Sequence, residues 1–86
     1  MKGVIAKMTI VSAVWCSNCV AVKNKLDSLG VDYAVVDADT DFGSEWCMEK
    51  GVRSLPTMVV SYEDIMLEDV IIGQANILKY VQENKE

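Results

Sequence analysis

The stretch MTIVSAVWCSNC, residues 8–19, constrains this chain more than any other. Residues 8–14 are β-rich and mostly apolar, the composition of a strand buried on both faces. Val4 and Ile5 extend the pattern upstream. From Ser17 the period changes. Val22, Leu26 and Leu29 recur at helical spacing with Lys23, Lys25 and Asp27 interleaved, and Gly30 follows as a C′ residue. A buried strand therefore runs straight into a helix over 17–29, with Cys16 at the junction and Cys19 one turn inside it.

The remainder reads as short alternating elements. DYAVVD (32–37) is a second strand, and DADTD (37–41) is a polar turn in which Asp41 is a candidate cap. Phe42 and Trp46 stand four apart and Gly51 ends the segment, giving a helix over 42–50. MVVS (58–61) is a third strand. Tyr62, Glu63 and Asp64 read as a hairpin connection to LEDVII (67–72), whose Glu68 and Asp69 suit a sheet edge. Gly73 breaks that strand, and Ile77, Leu78 and Val81 mark a last helix over 75–84. The order β-α-β-α-β-β-α predicts an α/β fold: one mixed four-stranded sheet flanked by three helices. The first two strands, joined through a helix, are expected parallel with a right-handed crossover, and the last two antiparallel.

The 86 residues read as a single domain, 51% apolar and 24% charged, compatible with a folded soluble protein. A net charge of -5 argues against nucleic-acid or anionic-membrane binding, since both want a basic face. No apolar run approaches the roughly 20 residues that span a bilayer. The N-terminal MKGVIAKMTIVSAVW superficially resembles a leader, but Lys7 interrupts it and it leads directly into the cysteine pair, so a signal peptide is not expected. A cytoplasmic setting keeps thiols reduced, and three cysteines there suggest chemistry more than stapling.

Cys16 and Cys19 stand at a helix N-terminus, where free N–H groups attract negative charge. A Cys16 thiolate there could accept from the N–H groups of Asn18 and Cys19, a setting that lowers a cysteine pKa from about 8.5 to roughly 3.5–7.5. Spacing of i to i+3 puts the second sulfur on the same helical face. Cys16 would then attack a disulfide and Cys19 would resolve the mixed disulfide. Three plainer readings compete. Zinc normally takes four ligands, and this chain offers only Cys47 as a third sulfur and no histidine. A structural bridge gains little by closing so short a loop. Two buried thiols can also be mere small hydrophobes, which is the preferred reading of Cys47 between Trp46 and Met48.

At this point the residues resemble a known family. WCSNC resembles the W-C-x-x-C site of thioredoxins. GVRSLPTMVV resembles the thioredoxin and glutaredoxin segment whose cis-proline faces the cysteines, with Pro56 the single proline here. IIGQANILKYV resembles the last strand, glycine and terminal helix of that fold. The resemblance covers nearly the whole chain and is closest to the compact, glutaredoxin-sized form. It implies a thioredoxin fold and a thiol–disulfide oxidoreductase that reduces protein disulfides, with Cys16 as nucleophile and Cys19 as resolving thiol. It implies that Leu55 and Pro56 offer backbone to an extended partner segment, with Trp15 as a flat wall and Ser17, Asn18 and Gly73 also in the substrate-binding region. It implies no metal or organic cofactor. The expected partners are disulfide-containing proteins, ribonucleotide reductase among the candidates, with a thioredoxin reductase or glutathione as electron donor. A monomer is expected. A glutathione-dependent glutaredoxin and a non-catalytic binding module of the same fold are the alternatives.

The chain departs from the family in three places. Ser17-Asn18 replaces the Gly-Pro or Pro-Tyr that usually separates the cysteines. Ile10 stands where thioredoxins carry a buried aspartate six positions before the first cysteine, so the group that helps Cys19 ionise is not evident; Tyr33, Asp37 and Lys7 are unranked candidates. Of the glutathione-site features, the basic residue before the first cysteine is missing, Ser54-Leu55-Pro56 is a fair match, and Gly73-Gln74-Ala75-Asn76 keeps one glycine and has Asn76 in place of an acid, with Arg53 as a candidate helper. Protein disulfides are therefore favoured over glutathione dependence.

Overall fold

A computed structural model describes residues 4–63 and 65–84. The elements follow in the order β1 (Ile5–Ser12), α1 (Ser17–Ser28), β2 (Ala34–Asp37), α2 (Asp41–Lys50), β3 (Thr57–Tyr62), β4 (Glu68–Ile72) and α3 (Gln74–Asn84). The strands form one sheet in the order β2-β1-β3-β4. β1 and β2 are parallel, with Ile10 opposite Val35 and Ser12 opposite Asp37. β3 is antiparallel to both β1 and β4. This is the mixed four-stranded sheet with three helices that the element order predicts, and β4 is an edge strand as its acids suggest.

Most boundaries differ from the sequence reading by one or two residues, and at two places the structure gives the physical reason. The first strand begins at Ile5, with a register irregularity between Ile5 and Lys7, and stops at Ser12 instead of running to Val14. Ala13 to Trp15 form a turn closed by the Cys16 N–H on the Ala13 carbonyl at 3.1 Å, which lifts the chain out of the sheet and leaves Val14 exposed. The second correction is the cap of α2. Thr40, not Asp41, is the N-cap: its hydroxyl oxygen accepts the Gly43 N–H at 2.9 Å. Asp41 is the first helical residue, where its charge suits the helix dipole. Asp64, assigned to the hairpin connection, lies outside the described residues, and Tyr62 belongs to β3.

Strand alternation divides the core between two faces. On one face Ile10, Met58, Val60 and Tyr62 meet Val22 and Leu26 of α1 and Ile77 and Val81 of α3. On the other, α2 lies near β2, over Thr9, Val36 and Val59, and leaves a cavity of about 350 Å³ beside Phe42 and Trp46. Gly43 is where α2 meets β2 most closely. A side chain there would run into the Asp37 carbonyl and the Thr40 hydroxyl. The glycine thus holds the 37–40 turn against the sheet.

A polar cluster ties the far end of the sheet together. The buried Tyr62 hydroxyl donates to Asp69 on β4 and lies 2.9 Å from the Tyr80 hydroxyl on α3. Burial and the Asp69 carboxylate push the Tyr62 phenol far above the usual tyrosine range. A raised phenol pKa makes a stability contribution that is full below the unfolded value, about 10, and lost as pH rises beyond it. Tyr62→Phe is expected to cost about 1–2 kcal/mol in urea unfolding at neutral pH. It is also expected to flatten the loss of stability that the parent chain shows above pH ~10.

Candidate active site

Cys16 and Cys19 form a disulfide, with 5.2 Å between their Cα atoms. Cys16 is the N-cap of α1, its backbone still extended at φ -93° and ψ 101°. Its sulfur accepts the Cys19 N–H at 3.2 Å. This is one of the two donors expected from the sequence; the Asn18 N–H does not cap the sulfur. No acid occupies the first turn of α1, so nothing on the helix itself offsets the positive end of its dipole at the sulfur.

The two sulfurs differ in access. Cys19 is wholly buried, whereas Cys16 keeps 8% of its surface in solvent. Together with Ala13 they form a small apolar cluster against which Leu55 packs. The Leu55-Pro56 peptide is cis. Pro56 is fully buried, and its carbonyl accepts the Gly73 N–H at 3.0 Å. Gly73, at φ 95°, also leads into α3, its own carbonyl accepting the Ile77 N–H. Segments around 16–19, 55–56 and 73, far apart in sequence, thus meet at one end of the sheet. Ser17 and Asn18 are exposed beside them.

Trp15 immediately precedes Cys16 and is 67% exposed. Its indole N–H donates to Asp39 at 2.7 Å. Asp39 lies in the turn fixed by Thr40 and Gly43, and its own N–H donates to the Asp37 carboxylate at 2.9 Å. Asp39 was not among the residues singled out from the sequence. It stands 24 positions from Trp15 in a run of acids that reads as a solvated turn, so no local signal marks it.

The other sequence candidates separate cleanly. Lys7 lines the cavity under α2, away from α1. The Tyr33 hydroxyl donates to Asp27 at 2.8 Å. Arg53 is exposed, and the Asn76 amide turns back to donate to the Ile72 carbonyl at 2.9 Å. Cys47 sits half-buried on α2, where burial pushes its thiol up. Among the described residues no three metal-ligating side chains come together.

Comparison with solved structures places this architecture among thioredoxins. The thioredoxin of Fasciola hepatica superposes with a TM-score of 0.72 at 22% identity, covering 98% of this chain and 84% of that one. Spinach chloroplast thioredoxin f, short form, gives 0.73 at 20% identity, covering 98% and 80%. The thioredoxin of Trypanosoma brucei brucei gives 0.72 at 25% identity, covering 96% and 75%. No curated relative matches the chain by sequence. The fold is the thioredoxin fold, and the cysteine pair within it makes this a thiol–disulfide oxidoreductase. A family model described as Glutaredoxin matches residues 8–65, and the chain belongs to that family.

Proposed function

We propose that the chain reduces disulfides in protein targets by two successive exchanges. In the reduced state the Cys16 thiolate attacks one sulfur of the target disulfide. A bond forms between that sulfur and Cys16, the target's own S–S bond breaks, and one target thiolate leaves and takes a proton from solvent. Cys19, as thiolate, then attacks Cys16. The internal disulfide forms and the second target thiolate departs. The target gains two electrons and the protein loses two. A dithiol donor, or two molecules of a monothiol such as glutathione, returns them.

The observation that carries this reading is the helix-terminal Cys19 N–H on the Cys16 sulfur at 3.2 Å. In the reduced state the same N–H would favour negative charge on Cys16. Protein targets are favoured because the rim is wide and apolar: Val14 and Trp15 are 86% and 67% exposed, and Leu55 adjoins the sulfurs. The family match supports glutathione as an alternative donor. The Asn76 side chain, folded onto Ile72, does not favour that alternative. The reading carries with it a reducing, cytoplasmic setting.

The test is reduction of insulin disulfides, run in parallel with thioredoxin reductase and NADPH and with glutathione and glutathione reductase. Turnover with the first donor and little with the second is the expected result. Activity with neither would overturn the reading. Trp15→Ala is expected to raise the KM for the protein substrate roughly 30-fold, the loss typical of a central aromatic anchor. A small disulfide, which cannot span the rim, should show a much smaller effect.

A further inference from the structure

Resolution requires Cys19 to become a thiolate, yet Cys19 has no exposed surface. Burial alone disfavours the charged form. The core around this end of α1 offers no remedy, since Ile10 is fully buried among Val22, Leu26 and Met58. Lys7, Tyr33 and Asp37 do not supply one either. Lys7 lies on the opposite face, Tyr33 is bonded to Asp27, and Asp37 accepts the Asp39 N–H.

We propose that Lys23, held by the buried hydroxyl of Ser12, is the positive charge that stabilises the Cys19 thiolate during resolution. This rests on the two-step exchange proposed above. Lys23 is four residues beyond Cys19 on α1, so the two side chains share one helical face with Cβ atoms about 5–6 Å apart. Helical side chains lean toward the N-terminus, which carries the Lys23 stem back toward Cys19. Its ammonium nitrogen is 3.3 Å from the Ser12 oxygen. Ser12 is 3% exposed and immediately precedes Ala13, which clusters with Cys16 and Cys19. The charge is therefore anchored at the end of β1 that leads through Ala13 into the cysteine turn, two residues along the strand from Ile10. Ser12 acts here as a positioning residue.

Other charged groups surround this corner. Asp37 is the register partner of Ser12 on β2, and its carboxylate accepts the Asp39 N–H. Asp39 itself accepts from Trp15. Asp27, one turn further along α1, accepts from Tyr33. Lys25, Arg53, Lys79 and Glu83 are exposed, and Tyr80 on α3 is bonded to Tyr62. Among these groups Lys23 is the cation set one turn from Cys19 and fixed on the inner face.

The two steps can be watched separately with dithiobis(nitrobenzoate) and the reduced chain carrying Cys47→Ser. Attack by Cys16 releases one coloured thiolate and leaves a mixed disulfide. Attack by Cys19 on Cys16 releases the second and closes the internal bond. Two thiols and one aryl disulfide thus become one protein disulfide, two aryl thiolates and two protons. In Lys23→Met the inflection of the second phase is expected to move up by about one pH unit, slowing that phase about tenfold at neutral pH. Lys23→Arg should restore the parent profile, and Ser12→Ala should shift it in the same direction as Lys23→Met by less. The Ser12→Ala arm stands alone if Lys23→Met fails to fold. A second-phase profile unchanged in both Lys23→Met and Ser12→Ala overturns the role of Lys23. If the parent retains two aryl groups and closes no internal disulfide, the exchange reading fails instead.

Discussion

Cys16→Ser is expected to reduce disulfide exchange to the rate of buffer alone, whereas Cys19→Ser should leave the first attack intact and stop the second. The asymmetry follows from where the helix puts each sulfur. Cys16 caps α1, receives the Cys19 N–H and reaches solvent; Cys19 lies wholly inside. Only the thiolate is a competent nucleophile, and a serine hydroxyl in the same cap is not ionised at neutral pH. With Cys19 replaced, the target stays covalently bound to Cys16, because no second sulfur is within reach to release it. The check is mass spectrometry after mixing with a disulfide substrate. The Cys19→Ser chain should carry one adduct per molecule, removed by dithiothreitol, and the Cys16→Ser chain should carry none at the pair. Adducts in equal yield on both variants would show that the two sulfurs are not differentiated by the fold.

The second large effect concerns Ile10, where thioredoxins place an aspartate. Ile10→Asp is expected to unfold the chain at neutral pH instead of restoring a family feature. Position 10 has no exposed surface and faces Val22, Leu26 and Met58, while its register neighbour on β2 is Val35. Full burial raises a carboxyl pKa by up to 3–5 units, and at pH 7 the resulting penalty is about 4 kcal/mol, because the carboxyl stays protonated once its pKa passes the ambient pH; the lost burial of the isoleucine side chain adds to it. A domain of this size has roughly 4–13 kcal/mol in total. Because the folded-state pKa is raised, this carboxyl makes no ionisation penalty below about pH 3.9 and the penalty grows as pH rises toward the folded value. Thermal melts followed by circular dichroism should therefore show a variant much closer to the parent at acid pH than at neutral pH. Ile10→Asn, which cannot ionise, should be destabilised without that pH dependence. Parent-like stability of Ile10→Asp at neutral pH would mean that the site holds a partner or water for the charge.

The pattern of elements was legible because hydrophobic period and glycine placement agree along the chain. Gly30, Gly51 and Gly73 all adopt positive φ at the element ends they mark. The strand-to-helix switch at Cys16 was legible for the same reason. What escaped the sequence was everything set by contact instead of period. Ala13 and Val14 are as apolar as the strand before them, and only the turn that presents Cys16 removes them from it. Thr40 and Asp41 are both good caps, and the choice between them depends on where α2 presses Gly43 onto β2. Asp39 under Trp15 and Ser12 under Lys23 are polar pairs 24 and 11 residues apart. Neither spacing belongs to a local motif, so both become visible only once the sheet brings their segments together.

The most direct test of the central claim is a pH titration of thiolate absorbance in the fully reduced chain, with Cys16→Ser and Cys47→Ser as references. One thiolate should appear well below the ordinary cysteine value of about 8.5, within roughly 3.5–7.5, and should vanish in Cys16→Ser alone. If every thiol instead ionises at or above about 8.5, the helix terminus does not activate Cys16 and the two-step exchange lacks its nucleophile.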